Sequence, residues 1–431
     1  MRYDAIPSDL FKLNRAAFAK QMKKNSMAVF VSNEPVTRSA DAAYKWRQNP
    51  DTFYLSGIDQ EETYLILYPD APEPKYREVL FVRRTSEQIR IWEGKKHTQE
   101  EARAISGVQQ VLWSENFENT LCLLMHYAEH VYLNTNEHDR SLGMAEATEI
   151  KFARKIQAQF PLHKYERAAP LLHALRSSKS KWELALLQRA IDITRLGFLR
   201  ALRFIKPGVW EYQIEAELVH AYISNRGTGF AYEPIVATGE NACVLHYVSN
   251  DVQCKAGELV LMDCAAEYAN YNADLTRTVP VSGRFSKRQL EVYNAVLRVH
   301  NKARNMMRAG VVLHQLNEEV GKLMESELIG LKLLTKEEVK KQSKDRPAYK
   351  KYFPHGTAHF LGLDVHDVGK RYEKLKPGAV LTCEPGIYIP EEKLGIRIEN
   401  NILITKDKPV DLMAHIPVEA EEIETIMNSK K

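Results

Sequence analysis

Leu259-Val260-Leu261-Met262-Asp263-Cys264-Ala265-Ala266-Glu267-Tyr268-Ala269-Asn270-Tyr271-Asn272-Ala273-Asp274-Leu275-Thr276-Arg277-Thr278 is the stretch on which the fold turns. An apolar strand ends in Asp263, and a second acid, Asp274, opens the next strand eleven positions later. Ionised carboxylates are costly to bury without a partner, so acids at the ends of apolar strands invite a functional reading. Glu267–Tyr271 has the composition to turn the chain, so two antiparallel strands would bring both carboxylates together. Taken alone, such a pair is more often a turn residue plus a salt bridge.

Working outward, the flanking sequence repeats a pattern of helix, helix and strand pair. Ser180 and Glu183 form a capping box that opens an amphipathic helix from Lys181 to about Phe204, which Lys206-Pro207-Gly208 stops. A second helix covers Glu211–Asn225, and strands follow at Glu258–Ala265 and Tyr271–Val281. The next round has helices over Lys287–Met307 and Leu313–Leu328, then strands over Ala379–Ile389 and Gly395–Thr405. The two rounds share no visible residue identity. The lysine-rich segment Thr335–Lys351, with Pro347, reads as a solvated surface excursion.

Upstream, short strands alternate with helices, which argues for a separate α/β domain. The strands predicted are Met27–Val31, Thr52–Leu55, Tyr64–Tyr68, Val79–Val82, Ile89–Trp92 and Val131–Leu133. Thr98 and Glu101 form a capping box, and a helix covers Asn116–Ala128. The pattern changes around Pro161–Leu175, which places the domains at 1–172 and 173–431. A chain of 431 residues with 44% hydrophobic and 27% charged residues supports two such cores. The net charge of +4, from 60 basic and 56 acidic residues, is too balanced to argue for nucleic acid or an anionic membrane. No apolar run approaches the roughly 18 residues a membrane span needs. Cys122, Cys243, Cys254, Cys264 and Cys383 are odd in number and form no CxxC pair, so reduced thiols and a cytoplasmic location are expected.

Two further clusters carry chemistry. His355-Gly356-Thr357-Ala358-His359-Phe360-Leu361-Gly362-Leu363-Asp364-Val365-His366-Asp367 packs three histidines among glycines that disfavour a helix. It lacks the HExxH pattern of a helical zinc site. Thr382-Cys383-Glu384-Pro385-Gly386-Ile387-Tyr388 is followed by Gly395-Ile396-Arg397-Ile398-Glu399-Asn400-Asn401-Ile402. Strand alternation puts Arg397 and Glu399 on one face, where a cross-strand ion pair is the plain alternative. Asp263, Asp274, Glu384 and Glu399 with His359 make four carboxylates and one imidazole, whose charge balances two divalent cations around a bridging hydroxide. Oxygen-rich ligands favour manganese, with cobalt and zinc as alternatives. Selecting these five among the many acids and histidines is helped by a family resemblance.

The chain resembles the Xaa-Pro aminopeptidases (aminopeptidase P) of the pita-bread metallopeptidase family, which includes prolidase. The resemblance covers nearly the whole chain and rests on His355–Asp367, Glu384–Tyr388, Gly395–Glu399 and Asp274-Leu275-Thr276-Arg277-Thr278. Val244-Leu245-His246-Tyr247 is similar to the family's strand with an essential histidine, and Arg47–Gly57 to its amino-terminal domain. The implied fold is α/β (α+β): a mixed α/β creatinase-like domain followed by a pita-bread catalytic domain. The implied activity is hydrolysis between an N-terminal residue and a penultimate proline by a hydroxide bridging two divalent metals.

The resemblance also implies roles. Asp263 would chelate one metal, His359 and Glu384 the other, and Asp274 and Glu399 would bridge them. His246 and His366 would contact the substrate carbonyl and the tetrahedral intermediate, and His355 would line the proline pocket. Glu384 would shuttle the proton, while Arg397 and Tyr388 would position substrate or ligands. Self-association as a dimer or tetramer is expected by family analogy. One departure is Asp263-Cys264-Ala265, where relatives commonly have glycine at the third of these positions. Prolidase, which cleaves Xaa-Pro dipeptides with the same ligands, is the first alternative, and an inactive binding protein on the same fold the second.

Overall fold

The computed structural model describes residues 3–140, 146–343 and 345–429. It contains two compact units, Asp4–Arg176 and Ser177–Lys431, the second including Tyr3.

The first unit is built on a six-stranded mixed sheet. Its strands are β1 (Ser26–Val31), β2 (Tyr64–Leu67), β3 (Glu78–Val82), β4 (Gln110–Trp113), β5 (His130–Leu133) and β6 (Lys164–Arg167), in the order β4-β3-β2-β1-β5-β6. β1 pairs antiparallel with β2 and parallel with β5. Met27, Val29, Ile66, Phe81, Leu121 and Val131 belong to the core on one face of this sheet.

Two predicted strands are helices. Thr52–Leu55 lies within α1 (Pro50–Ser56). The Asn49 side chain accepts from the N–H groups of Asp51 and Thr52, Pro50 opens the helix, and Gly57 ends it with φ 69°. These end signals outweigh the strand preference of Thr-Phe-Tyr-Leu. Ile89–Trp92 likewise lies in α2 (Glu87–Glu93), capped by Ser86, and leaves Ile91 and Trp92 exposed. Sequence reading also missed β4 and β6, short edge strands that bury little.

In the second unit, α3 (Lys181–Phe204) and α4 (Glu211–Ser224) precede β7 (Gly229–Phe230), β8 (Ile235–Thr238), β9 (Leu259–Asp263), β10 (Ala266–Tyr268), β11 (Tyr271–Asn272) and β12 (Thr276–Pro280). α5 (Lys287–Met306) and α6 (Leu313–Gly330) then precede β13 (Val380–Cys383), β14 (Gly386–Ile389), β15 (Leu394–Arg397), β16 (Asn400–Leu403) and β17 (Val410–Asp411). Among the described residues three three-stranded antiparallel sheets result, β8-β9-β12, β11-β10-β7 and β13-β16-β17, and β14 pairs with β15. Ala379–Ile389 is thus two strands, broken at Glu384-Pro385, and Gly395–Thr405 divides around Ile398-Glu399. Both breaks fall on acids. Among its described residues, Thr335–Lys351 contains a short exposed helix, Lys336–Lys341, and a 3-10 turn, Ala348–Lys351. Among the described residues, no helix is long and apolar enough to cross a membrane.

Candidate metal centre

Local sequence explains how each donor reaches the site. β10 and β11 form a hairpin closed by Tyr268 opposite Tyr271. Its two turn residues, Ala269 and Asn270, both have positive φ (52° and 65°), the twist that two-residue hairpins require. The hairpin returns the chain antiparallel, so Asp263 at the end of β9 lies opposite Thr276, two residues past Asp274. His359 runs alongside β13: Thr382 N–H donates to its carbonyl at 2.9 Å, and Glu384 N–H donates to the Thr357 carbonyl at 2.8 Å. Glu399 occupies the break between β15 and β16, and its N–H donates to the Thr276 carbonyl at 3.1 Å.

The side chains converge. Asp274, His359 and Glu399 each present a ligand atom within 4.8 Å of the others, and all three are buried. His359 Nε2 lies 3.4 Å from Asp274 Oδ2 and 3.6 Å from Glu384 Oε1. Tyr232 joins the fourth acid to the group: its hydroxyl is 2.6 Å from Asp263 Oδ1 and 2.7 Å from Asp274 Oδ1. One phenolic proton cannot serve two ionised carboxylates at once. Sequence reading did not single out Tyr232, since one tyrosine among 20 carries no spacing signal.

The electrostatics describe a site short of positive charge. Burial, and then the Asp274, Glu384 and Asp263 carboxylates, push Glu399 well above the ordinary range. Burial also raises Glu384, to about 7, with Asp274 and Asp263 adding to it against the pull of His359 and Arg397. Asp263 is raised by burial, opposed by Arg397. Burial disfavours a charged His359, but the Asp274 hydrogen bond and the Glu384 charge outweigh it and raise its pKa. His359 Nδ1–H donates to the Phe360 carbonyl at 2.9 Å, so Nε2 is the atom aimed at the carboxylates. A neutral imidazole held in this way is a ready metal donor. Four clustered carboxylates, one aimed imidazole and a doubly engaged phenol fit hard divalent cations.

Arg397 does not pair with Glu399 directly. Its Nη2 donates to Asp263 Oδ2 at 2.5 Å, its Nη1 to the Tyr388 hydroxyl at 2.8 Å, and its Nε to Thr276 Oγ1 at 3.0 Å. Thr276 Oγ1 donates onward to Glu399 Oε2 at 2.6 Å. The Tyr388 hydroxyl also meets His355 Nε2 at 2.8 Å, while His355 Nδ1 donates to the Gly356 carbonyl. Burial, then the Arg397 charge, lower the His355 pKa to about 3, so the ring is neutral. The His366 ring stands 4.4 Å from that of His359 at 87°. His366 and His246 are both exposed. Val244–Tyr247 is not a strand. It is a turn that follows the 3-10 helix Gly239–Cys243, and it puts His246 close enough to influence the His355 charge. Ala265 is buried without a left-handed φ, so this position does not demand glycine.

The Cys264 and Cys383 thiols donate to the carbonyls of Ile235 and His300.

Residues 185–406 match metallopeptidase family M24, and residues 11–132 match the aminopeptidase P N-terminal domain. The chain is 35% identical to the Xaa-Pro aminopeptidase of Escherichia coli K12, over 97% of each sequence. A zinc-substituted E. coli aminopeptidase P in complex with product superposes with a TM-score of 0.87 at 33% identity, covering 98% of this chain and 99% of that one. Aminopeptidase P from E. coli with the inhibitor Pro-Leu gives the same figures.

Proposed function

The chain belongs to metallopeptidase family M24, and we infer that Asp263, Asp274, His359, Glu384 and Glu399 are the ligands with which it carries out metal-dependent cleavage between an N-terminal residue and a penultimate proline. It is a metallo-aminopeptidase of mixed α/β architecture, in which an aminopeptidase P N-terminal domain is followed along the chain by a pita-bread catalytic domain. Peptides are its substrates. What supports the ligand assignment is the closeness of Asp274, His359 and Glu399 in a buried, electron-rich cluster. We assign two divalent cations per chain, with manganese favoured by the oxygen-rich donors. Bound cations would supply Lewis acidity, lowering the pKa of a water and polarising the scissile carbonyl.

The chain's own groups do the rest. Arg397 and Tyr232 hold Asp263, Thr276 holds Glu399, and the Phe360 carbonyl orients His359. Glu384, the partly exposed acid of the cluster, takes a proton from the attacking water and passes it to the leaving proline nitrogen. That nitrogen belongs to a tertiary amide and brings no proton of its own. His246 and His366, both exposed, donate to the substrate carbonyl and to the oxyanion that develops from it. Neutral His355 and Tyr388, with Arg397 behind them, offer a wall for the proline ring. Five free cysteines and a balanced charge support a cytoplasmic location. Self-association as a dimer or tetramer follows by family analogy.

A paired assay tests the assignment. Chelated protein should hydrolyse no Xaa-Pro-Xaa tripeptide, regain activity with manganese, and bind two ions per chain. Asp274→Asn should abolish turnover, and His366→Ala should keep the metal but lose roughly 100-fold or more in rate. Release of Xaa from an Xaa-Pro dipeptide alone would make the enzyme a prolidase. Full activity in Asp274→Asn would remove that ligand from the set.

A further inference from the structure

Two fully buried side chains that touch neither substrate nor ligand atoms tie together the backbones of Asp274 and Glu399. Asn401 lies in β16, where its backbone pairs with Thr382 of β13. Its side chain turns instead to Asp274: Nδ2 donates to the Asp274 carbonyl at 2.6 Å, and Oδ1 accepts from the Asp274 N–H at 3.2 Å. An amide thus supplies the one donor and one acceptor that a neighbouring strand would have given this residue. The partners are a backbone carbonyl and an N–H, so the amide has only one sensible orientation.

Arg277 does the corresponding work for Glu399. Its Nη1 donates to the Glu399 carbonyl at 2.7 Å and to the Thr276 carbonyl at 3.0 Å. Nη2 donates to Asn400 Oδ1 at 2.8 Å, and Nε to the Pro417 carbonyl at 2.8 Å. Asn400 Nδ2 in turn donates to Asp411 Oδ2 at 2.8 Å, which also accepts from Arg304 Nη1 at 3.2 Å. Neither Asn401 nor Arg277 has measurable exposure. A guanidinium buried on carbonyls, with no carboxylate as its direct partner, is held there by geometry that a flexible ammonium could not reproduce.

We propose that Asn401 and Arg277 are positioning residues that set the separation of the Asp274 and Glu399 carboxylates, and so the affinity for a cation held between them. The proposal rests on the reading that these two acids are shared ligands. Asp274 lies between β11 and β12 and Glu399 between β15 and β16, with no side-chain hydrogen bond joining them among the described contacts, and their carboxylates repel. Without the brace, that repulsion would move them apart. Outer-shell partners of ligands typically contribute about 10–100-fold to metal affinity or activity.

The test is manganese titration of chelated wild type, Asn401→Ala and Arg277→Lys, read by ion stoichiometry and by the spin-coupled signal of paired manganese, with circular dichroism to confirm the fold. We expect each folded variant to bind at least one ion about tenfold more weakly or worse and to lose the coupled signal. We also expect kcat to fall while KM stays within about threefold, because substrate contacts are untouched. Lysine, which keeps the charge but loses the fork, should not rescue. Where Asn401→Ala does not fold, Asn401→Ser, which keeps a polar group but falls short of the Asp274 backbone, is read in the same way. Wild-type cation affinity in the folded variants would overturn the brace whatever their turnover. Wild-type protein that binds no paired manganese would instead sink the shared-ligand reading itself.

Discussion

A buried histidine behind the metal centre illustrates how single residues set the pH range of the fold. His300 lies on α5, is 1% exposed, and accepts at its carbonyl from the Cys383 thiol. Burial, and next the Arg277 guanidinium, push its imidazole down from 6.5 to about 3. Between those values the unfolded chain binds a proton that the folded chain does not. Stability from this group is therefore complete above the unfolded value and falls as the pH drops, by at most about 1.4 kcal/mol per pH unit. From pH 6.5 to 5 the contribution amounts to up to about 2 kcal/mol. His300→Leu should lose that slope, measured as urea midpoints of chelated protein at both pH values. Equal slopes in the two proteins would show that other groups dominate. At the same scale, Asp263, Asp274, His359, Glu384 and Glu399 stand out in the sequence because acids and glycine-flanked histidines at strand ends are unusual. Tyr232, Arg277 and Asn401 do not stand out, since what distinguishes them is a partner more than forty residues away.

Elements bring those residues together, and the loop carrying His359 and His366 is pinned by an ion pair. Lys179, just before the Ser180 cap of α3, places its Nζ 2.7 Å from Asp367 Oδ2, and both side chains are 1% exposed. Lys179 N–H also donates to the Gly378 carbonyl at 2.8 Å, and Asp367 N–H to the Phe360 carbonyl at 2.8 Å. Removing one member of a buried pair leaves the other charge less well compensated, which costs up to about 3–5 kcal/mol. Asp367→Asn should show a loss of that size in urea unfolding, and Lys179→Met with Asp367→Asn should recover part of it. A single variant within about 1 kcal/mol of wild type would argue that the pair is solvated or replaceable. The long helices were legible because α3 and α5 combine capping boxes with sustained amphipathic period. Pro50–Ser56 and Glu87–Glu93 were not: over seven residues the apolar and aromatic content resembles a strand, and only the caps distinguish them.

For the whole molecule, each unit has its own core, but all five proposed ligands lie in Ser177–Lys431. A cation that binds only the folded state stabilises it by mass action, about 2.7 kcal/mol at 100 times its Kd. Manganese should therefore slow hydrogen exchange in β9, β12, β15 and β16 and leave the sheet of the Asp4–Arg176 unit near its metal-free rate. Equal protection of both units would mean that they unfold as one. The sequence by itself determined the helix-and-strand rounds, the acids at strand ends and the family to which they belong, because local pattern and short motifs are written in consecutive residues. The tertiary structure alone decided that Arg397 grips Asp263 and not Glu399, that Tyr232 joins two acids, and that Asn401 and Arg277 brace the cluster. Such pairings depend on tertiary contacts and strand register, which join residues from about thirty to more than a hundred positions apart and leave no trace in local composition.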